Sequence, residues 1–220
     1  MPDLRLTYIA ELVRQGSRVA DIGTDHAHLP VFLVQTGRCV SAIATDIRQG
    51  PLQNAQTNVE AAGLSTAITI RGGDGLQPVD PAEVDDIVIA GMGGETIAAI
   101  LQAASWVQNQ RYRLVLQPMS RAEDLRKYLL TNGFEILSER SLCEGGHLYT
   151  IMAVAYTDAA PVEDPLAWYV GGLSPQTDAE FLQKQKERLS KKAEGLARSG
   201  EHQAECAALQ ELLKRMEAFL

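Results

Sequence analysis

Aromatic residues are scarce, 5% of 220, and the three cysteines, Cys39, Cys143 and Cys206, lie far apart with no CxxC pair. This excludes a disulfide framework and a structural zinc site, and no metal is expected; the three thiols read as buried small hydrophobes. No stretch approaches the roughly 18 uninterrupted apolar residues of a bilayer-spanning helix, and residues 1–6 lack the basic-then-apolar order of a secretory signal. A cytoplasmic protein with no membrane partner is expected. Basic residues are in deficit too, 20 against 28 acidic for a net charge of −8, which disfavours nonspecific nucleic-acid binding by the whole surface. With 45% hydrophobic and 22% charged residues, the composition is that of a globular chain, not a disordered one.

Over the first 130 residues, short β-branched runs alternate with stretches of helical spacing. Residues 18–22, 40–46, 67–71, 86–90 and 113–117 are nearly continuous apolar runs, as parallel strands covered on both faces require. Between them, 26–35, 50–62, 95–104 and 121–132 read as helices with stops at Gly63 and Asn132-Gly133. This is βαβ winding, hence an α/β fold with right-handed crossovers. After Gly133 the rhythm changes to two strands, 134–142 and 148–156, joined by Glu144-Gly145-Gly146 as an antiparallel hairpin that closes the sheet.

Pro161, Pro165, Gly171, Gly172 and Pro175 give 159–176 the composition of a connector, so the boundary is placed between a first domain, 1–160, and a linker with helical hairpin, 161–220. From 178 onward the chain is helix-forming, interrupted around Ser199-Gly200. Leu182, Leu189 and Leu196 repeat every seven residues, and Leu209, Leu212, Met216 and Phe219 alternate steps of three and four. A short antiparallel coiled coil is predicted. The negative excess lies wholly in 1–176; residues 183–198 carry six basic side chains against two acidic ones.

The chemistry-bearing residues fall at strand ends, where doubly wound sheets receive ligands. The first strand ends in Asp21-Ile22-Gly23-Thr24-Asp25-His26, with Gly23 expected to let backbone amides approach the ligand. A dinucleotide fingerprint would need glycine at position 25, but Asp25 stands there and would repel a pyrophosphate. An NAD-dependent dehydrogenase is therefore disfavoured, and a cationic cofactor such as S-adenosylmethionine fits better. Asp46, followed by Ile47, ends the second strand where an acid accepts hydrogen bonds from ribose hydroxyls; capping of the next helix is its alternative role. After the third strand, Gly73-Asp74-Gly75 offers a carboxylate to an adenine amine, or is a plain turn. The fourth strand runs into Gly91-Met92-Gly93-Gly94, which clears side chains for a flat substrate or allows tight packing; the fifth ends in Gln117-Pro118-Met119, Gln117 being a substrate contact or a satisfied loop amide.

Taken together, DIGTDH at 21–26, Asp46, GGDG at 72–75, IAGMGG at 89–94 and LQPM at 116–119 resemble the bacterial tRNA (adenine(22)-N1)-methyltransferase family, over nearly the whole chain. The resemblance implies a Rossmann-like class I methyltransferase domain at 1–160, S-adenosylmethionine as donor, and methylation of N1 of adenine 22 in tRNA. His28 departs from the tyrosine expected in many relatives, and Met92 to Gly94 replaces the acidic, proline-containing motif of many amino-group methyltransferases. Attack of adenine N1 on a sulfonium methyl needs alignment and no covalent nucleophile. The product ring is cationic, so an anion near the exocyclic amine assists; Asp25 and His26 are the candidates, against capping and packing roles. The target base must be extruded from the folded RNA, which demands grip elsewhere. Lys184, Arg188, Lys191 and Lys192 share one helical face and are assigned to phosphates, against a role as a solvated charged surface. A small-molecule methyltransferase and a non-catalytic RNA-binding or coiled-coil module are the competing readings; a monomer is favoured.

Overall fold

The computed structural model describes residues 4–199 and 202–220. Seven strands form one sheet in the order β3-β2-β1-β4-β5-β7-β6. These are β1 (Ser17–Ile22), β2 (Cys39–Asp46), β3 (Ile68–Gly72), β4 (Asp86–Gly93), β5 (Arg113–Ser120), β6 (Phe134–Glu144) and β7 (His147–Tyr156). The first five are parallel, and β7 runs antiparallel to both β5 and β6. The chain steps outward from β1 to β3 and then returns to β4 beside β1, which opens a crevice at the carboxyl ends of those two strands.

Alternate side chains of each strand enter two different cores. Val19, Ala42, Ala44, Val88 and Val115 pack with α1 (Leu4–Leu12), α2 (His28–Gln35) and α3 (Gln49–Ala61) on one face. Ala20, Ile22, Ile87, Ile89, Leu114 and Leu116 pack with α4 (Gly94–Ala103) and α5 (Ala122–Thr131) on the other. Burial on both faces explains the absence of polar alternation in these strands.

Four expectations are corrected. The helix predicted from residue 26 begins at His28, because the Thr24 hydroxyl accepts the Ala27 amide and Ala27 turns left-handed at φ 53°. The segment 4–12, to which no element was assigned, is α1. The 159–176 stretch holds a short helix, α6 (Pro165–Val170), capped by Asp164 with proline at its start. It is packed, not a loose connector: the buried Arg126 of α5 pairs with Glu139 of β6 at 2.7 Å and donates to the carbonyls of Trp168 and Tyr169, while Glu139 accepts the Gly172 amide. Finally, only Cys39 is buried; Cys206 is half-buried and Cys143 is exposed on the hairpin.

The last two helices, α7 (Ala179–Ser199) and α8 (Gln203–Phe219), lie antiparallel, with Leu182, Leu189, Ala193, Leu209, Leu212 and Met216 between them. The interruption at Gly200 lies outside the described residues. Their attachment to the sheet is polar and specific. Asp178, just before α7, accepts from the Ser141 amide and hydroxyl of β6 and from the Ser174 amide, and Arg215 of α8 donates two hydrogen bonds, 2.8 Å each, to the two carboxylate oxygens of Asp164, the cap of α6.

Candidate active site

Asp21, Asp46 and Asp74 stand at the carboxyl ends of β1 and β2 and just after β3, on the edge where the crevice opens. Asp21 is buried, and burial pushes its carboxyl up to about 6, opposed only by a hydrogen bond from Thr24. No cationic side chain among the described residues is paired with it. Other sheet acids are treated differently: Asp86 receives Arg14 at 2.6 Å, Asp85 receives Arg18 at 2.8 Å, and Glu139 receives Arg126. Asp21 is thus a buried carboxylate beside a ligand crevice with no positive charge of its own.

Gly23 follows at φ +78°, and a Cβ there would stand 2.1 Å from the terminal methyl of Met92. The turn therefore needs glycine for its left-handed conformation, while the methyl in the way is the flexible end of Met92 and can yield. Its amides do not face a ligand as the sequence suggested: Gly23 and Thr24 N–H both donate to the Thr45 carbonyl at 2.8 Å, binding β1's turn to β2. Asp46 is buried, its Oδ1 accepting the Arg48 amide at 2.7 Å. Arg48 itself precedes α3 and no side chain caps that helix, so the capping alternative for Asp46 fails. Ile47 is an exposed isoleucine immediately beyond, and Asp74 is exposed between Gly73 and Gly75.

Asp25 and His26 sit on the exposed turn before α2, with His26 Nε2 3.3 Å from Asp25 Oδ2. Asp25 is 66% exposed and does not cap α2, whose capping position is Ala27. His26 stacks on His28 with ring centroids 5.3 Å apart, and its carbonyl accepts from Asn58 of α3 at 2.9 Å.

At the next two strand ends, packing accounts for several residues assigned to substrate. Gly91, at φ +80°, donates its amide to Gln117 Oε1 at 3.1 Å. Gln117 is wholly buried, also receives Arg5 at 2.9 Å, and turns its own amide to the Pro118 carbonyl. Gln117 is therefore a satisfied amide that holds the Gly91 turn. Gly94 is buried, and a Cβ on it would lie 2.1 Å from the Arg121 carbonyl oxygen, so it too serves close packing. Met92 and Gly93 are half-buried at the rim, and Pro118 is buried behind it.

The basic face of α7 is less free than its sequence implied. Lys184 pairs with Glu180, Arg188 with Glu123 of α5, and Lys192 with Glu205 of α8, at 3.1, 2.7 and 2.9 Å. Lys191 alone of the four lacks an ionic partner among the described residues. The local excess of positive charge is thus largely offset, by Glu180 within the helix and by Glu123 and Glu205 distant in sequence.

A methyltransferase domain family matches residues 3–152. The tRNA (adenine(22)-N(1))-methyltransferase of Bacillus subtilis is 34% identical over 97% of this chain and 93% of its own length. The chain belongs to this family. The crystal structure of the B. subtilis m1A22 tRNA methyltransferase TrmK superposes with a TM-score of 0.85 at 32% identity, covering 99% of this chain and 96% of that one. The Mycoplasma capricolum TrmK structure, solved with S-adenosyl-homocysteine, gives 0.82 at 26% identity, over 100% and 97%. The domain-family match ends within β7, before the paired terminal helices, whereas the TrmK superposition spans nearly the whole chain. Among the described residues no helix is long and apolar enough to cross a membrane, and no three His, Cys, Asp or Glu side chains are grouped to hold a metal ion.

Proposed function

We propose that this chain transfers a methyl group from S-adenosylmethionine to N1 of adenine 22 of tRNA in the cytoplasm. The observation that carries the reading is Asp21: a buried carboxylate without a cation, at the crevice of a chain 34% identical to such an enzyme along almost its full length. When bound, S-adenosylmethionine supplies an electrophilic sulfonium methyl. Asp21 offers its negative charge to the donor's cationic end, Asp46 accepts from ribose hydroxyls, and Asp74 accepts from the adenine amine, with exposed Ile47 against the ring. Gly23, Thr24, Gly73, Gly75 and Gly91 shape the backbone around these groups. The acceptor base enters over Met92 and Gly93, held in line with the methyl group.

Methylation at N1 makes the base cationic and its N6 proton acidic. Asp25 and His26, exposed on the turn before α2, take that proton between Asp25 Oδ2 and His26 Nε2. Lys191 and the open sides of Lys184, Arg188 and Lys192 contact phosphates, a support consistent with an extruded base. The decisive experiment incubates the protein with labelled S-adenosylmethionine and unmodified tRNA carrying adenine or guanine at position 22. Incorporation only with adenine is expected; equal incorporation with guanine refutes the site of methylation.

A further inference from the structure

Beyond the donor crevice, a pocket of about 210 Å³ lies between the end of β5, the start of α5, β7 and α7. It is smaller than the roughly 300 Å³ at which pockets for drug-sized ligands begin, so its occupant is of the size of a single base. Leu148 and Phe181 give it apolar surface, and Lys184 and Arg188 border it with positive charge.

Two of its lining residues carry unmet hydrogen-bonding capacity. Glu123 is 8% exposed and gives Oε1 to Arg188, while its Oε2 is buried without a partner; Thr150 is 1% exposed, and its hydroxyl is also buried without a partner. An ionised carboxylate only accepts, so Oε2 calls for an N–H or O–H donor, whereas the hydroxyl gives or takes. Orphaned groups of this kind cost the apo fold and are satisfied by a ligand that presents a donor beside an acceptor. A nucleobase edge does so, and an aromatic side chain beside it offers a stacking face.

We propose that this pocket receives one unpaired nucleotide of the RNA other than the one methylated, most favourably a purine. Its base lies against Phe181, its phosphate lies at Lys184, and its N–H edge meets Glu123 Oε2 and Thr150 once the side chains that close over these two oxygens give way. The sheet register separates it from the reacting base. Leu116 pairs with Met152, which places Thr150 level with Pro118, and Pro118 in turn pairs with Met92. Two strand spacings, roughly 10 Å, divide Thr150 from β4, far beyond the roughly 3–3.5 Å of an in-line attack. The RNA identity of the ligand rests on the proposed function.

The test titrates guanosine 5′-monophosphate into the full chain saturated with S-adenosylmethionine, with ribose 5-phosphate as the base-free comparison. Saturable binding of the nucleotide alone is expected, weakened about tenfold in Thr150→Val and in Phe181→Leu. The same variants raise KM for tRNA with kcat retained. Equal binding by both variants, displacement of the nucleotide by donor, or a loss confined to kcat overturns the proposal. A native protein that binds the nucleotide in this way yet methylates no tRNA supports the pocket and refutes the methyltransferase reading instead.

Discussion

Replacing Asp21 by asparagine should strengthen the fold and ruin donor binding, and the two effects have the same electrostatic origin. Burial raises the Asp21 carboxyl from 3.8 to about 6, so its anion is disfavoured in the empty protein by about 3 kcal/mol. Between those two values the native state binds more proton than the unfolded chain, so stability falls as pH rises through the window. Above pH 6 the full penalty applies; below pH 4 it is gone. Asp21→Asn keeps an oxygen for the Thr24 hydroxyl and removes the charge. At pH 7.5 it should therefore melt up to roughly 6–10 °C higher than the native protein, and at pH 4 no higher. Calorimetric titration with S-adenosylmethionine should show affinity reduced about a hundredfold in the variant. In the native protein, affinity should fall by up to about tenfold per unit below pH 6, and the variant should lack that slope. A variant that melts lower at pH 7.5, or that binds donor normally, would refute the reasoning.

Asp25→Asn should lower kcat about a hundredfold with donor affinity unchanged, measured by single-turnover methylation beside calorimetry; equal losses in both would place Asp25 in the binding set. Gly94→Ala should cost about 1–3 kcal/mol by denaturant unfolding, because its Cβ meets the Arg121 backbone at 2.1 Å, whereas Gly93→Ala meets Ser120 Oγ at 3.5 Å and Thr96 Oγ1 at 3.8 Å, ordinary contacts, and should be tolerated. Matching stabilities would disprove that contact. Arg126→Met leaves the Glu139 carboxylate buried without its cation and should cost about 3–5 kcal/mol; a loss under about 1 kcal/mol would show that α6 is not held through this pair.

The parallel strands were legible because burial on both faces writes itself as uninterrupted apolar runs. The acids at 21, 46 and 74 were legible for a related reason: strand ends in such sheets converge on one edge. What escaped was set by contacts distant in sequence. The start of α2 depends on one threonine hydroxyl, and Gln117 is occupied by Arg5, 112 residues away. The neutralisation of α7 depends on Glu123 and Glu205, which no periodicity within α7 announces. The α6 helix did leave a signal, Asp164 followed by Pro165, a cap and first-turn pair hidden among other prolines.

Among the buried acids of the sheet, Asp21 alone has no paired arginine within the described residues, and it stands at the donor crevice. Asp86 and Glu139 lie in the sheet as deeply as Asp21, and each is met by an arginine; burial still raises the Asp86 carboxyl against that pairing, whereas Asp21 has no arginine to oppose it. A fold selected for stability alone would treat Asp21 in the same way or replace it with a neutral residue. Instead its carboxyl faces burial with only a threonine hydroxyl in support, at the topological switch between β1 and β4. In the proposed function the missing positive charge comes from the donor, as its sulfonium or ammonium group. Arg188 of α7 and Glu123 of α5 show the complementary arrangement: the arginine answers only one carboxylate oxygen, and in the proposal above the other is left for a donor on the RNA.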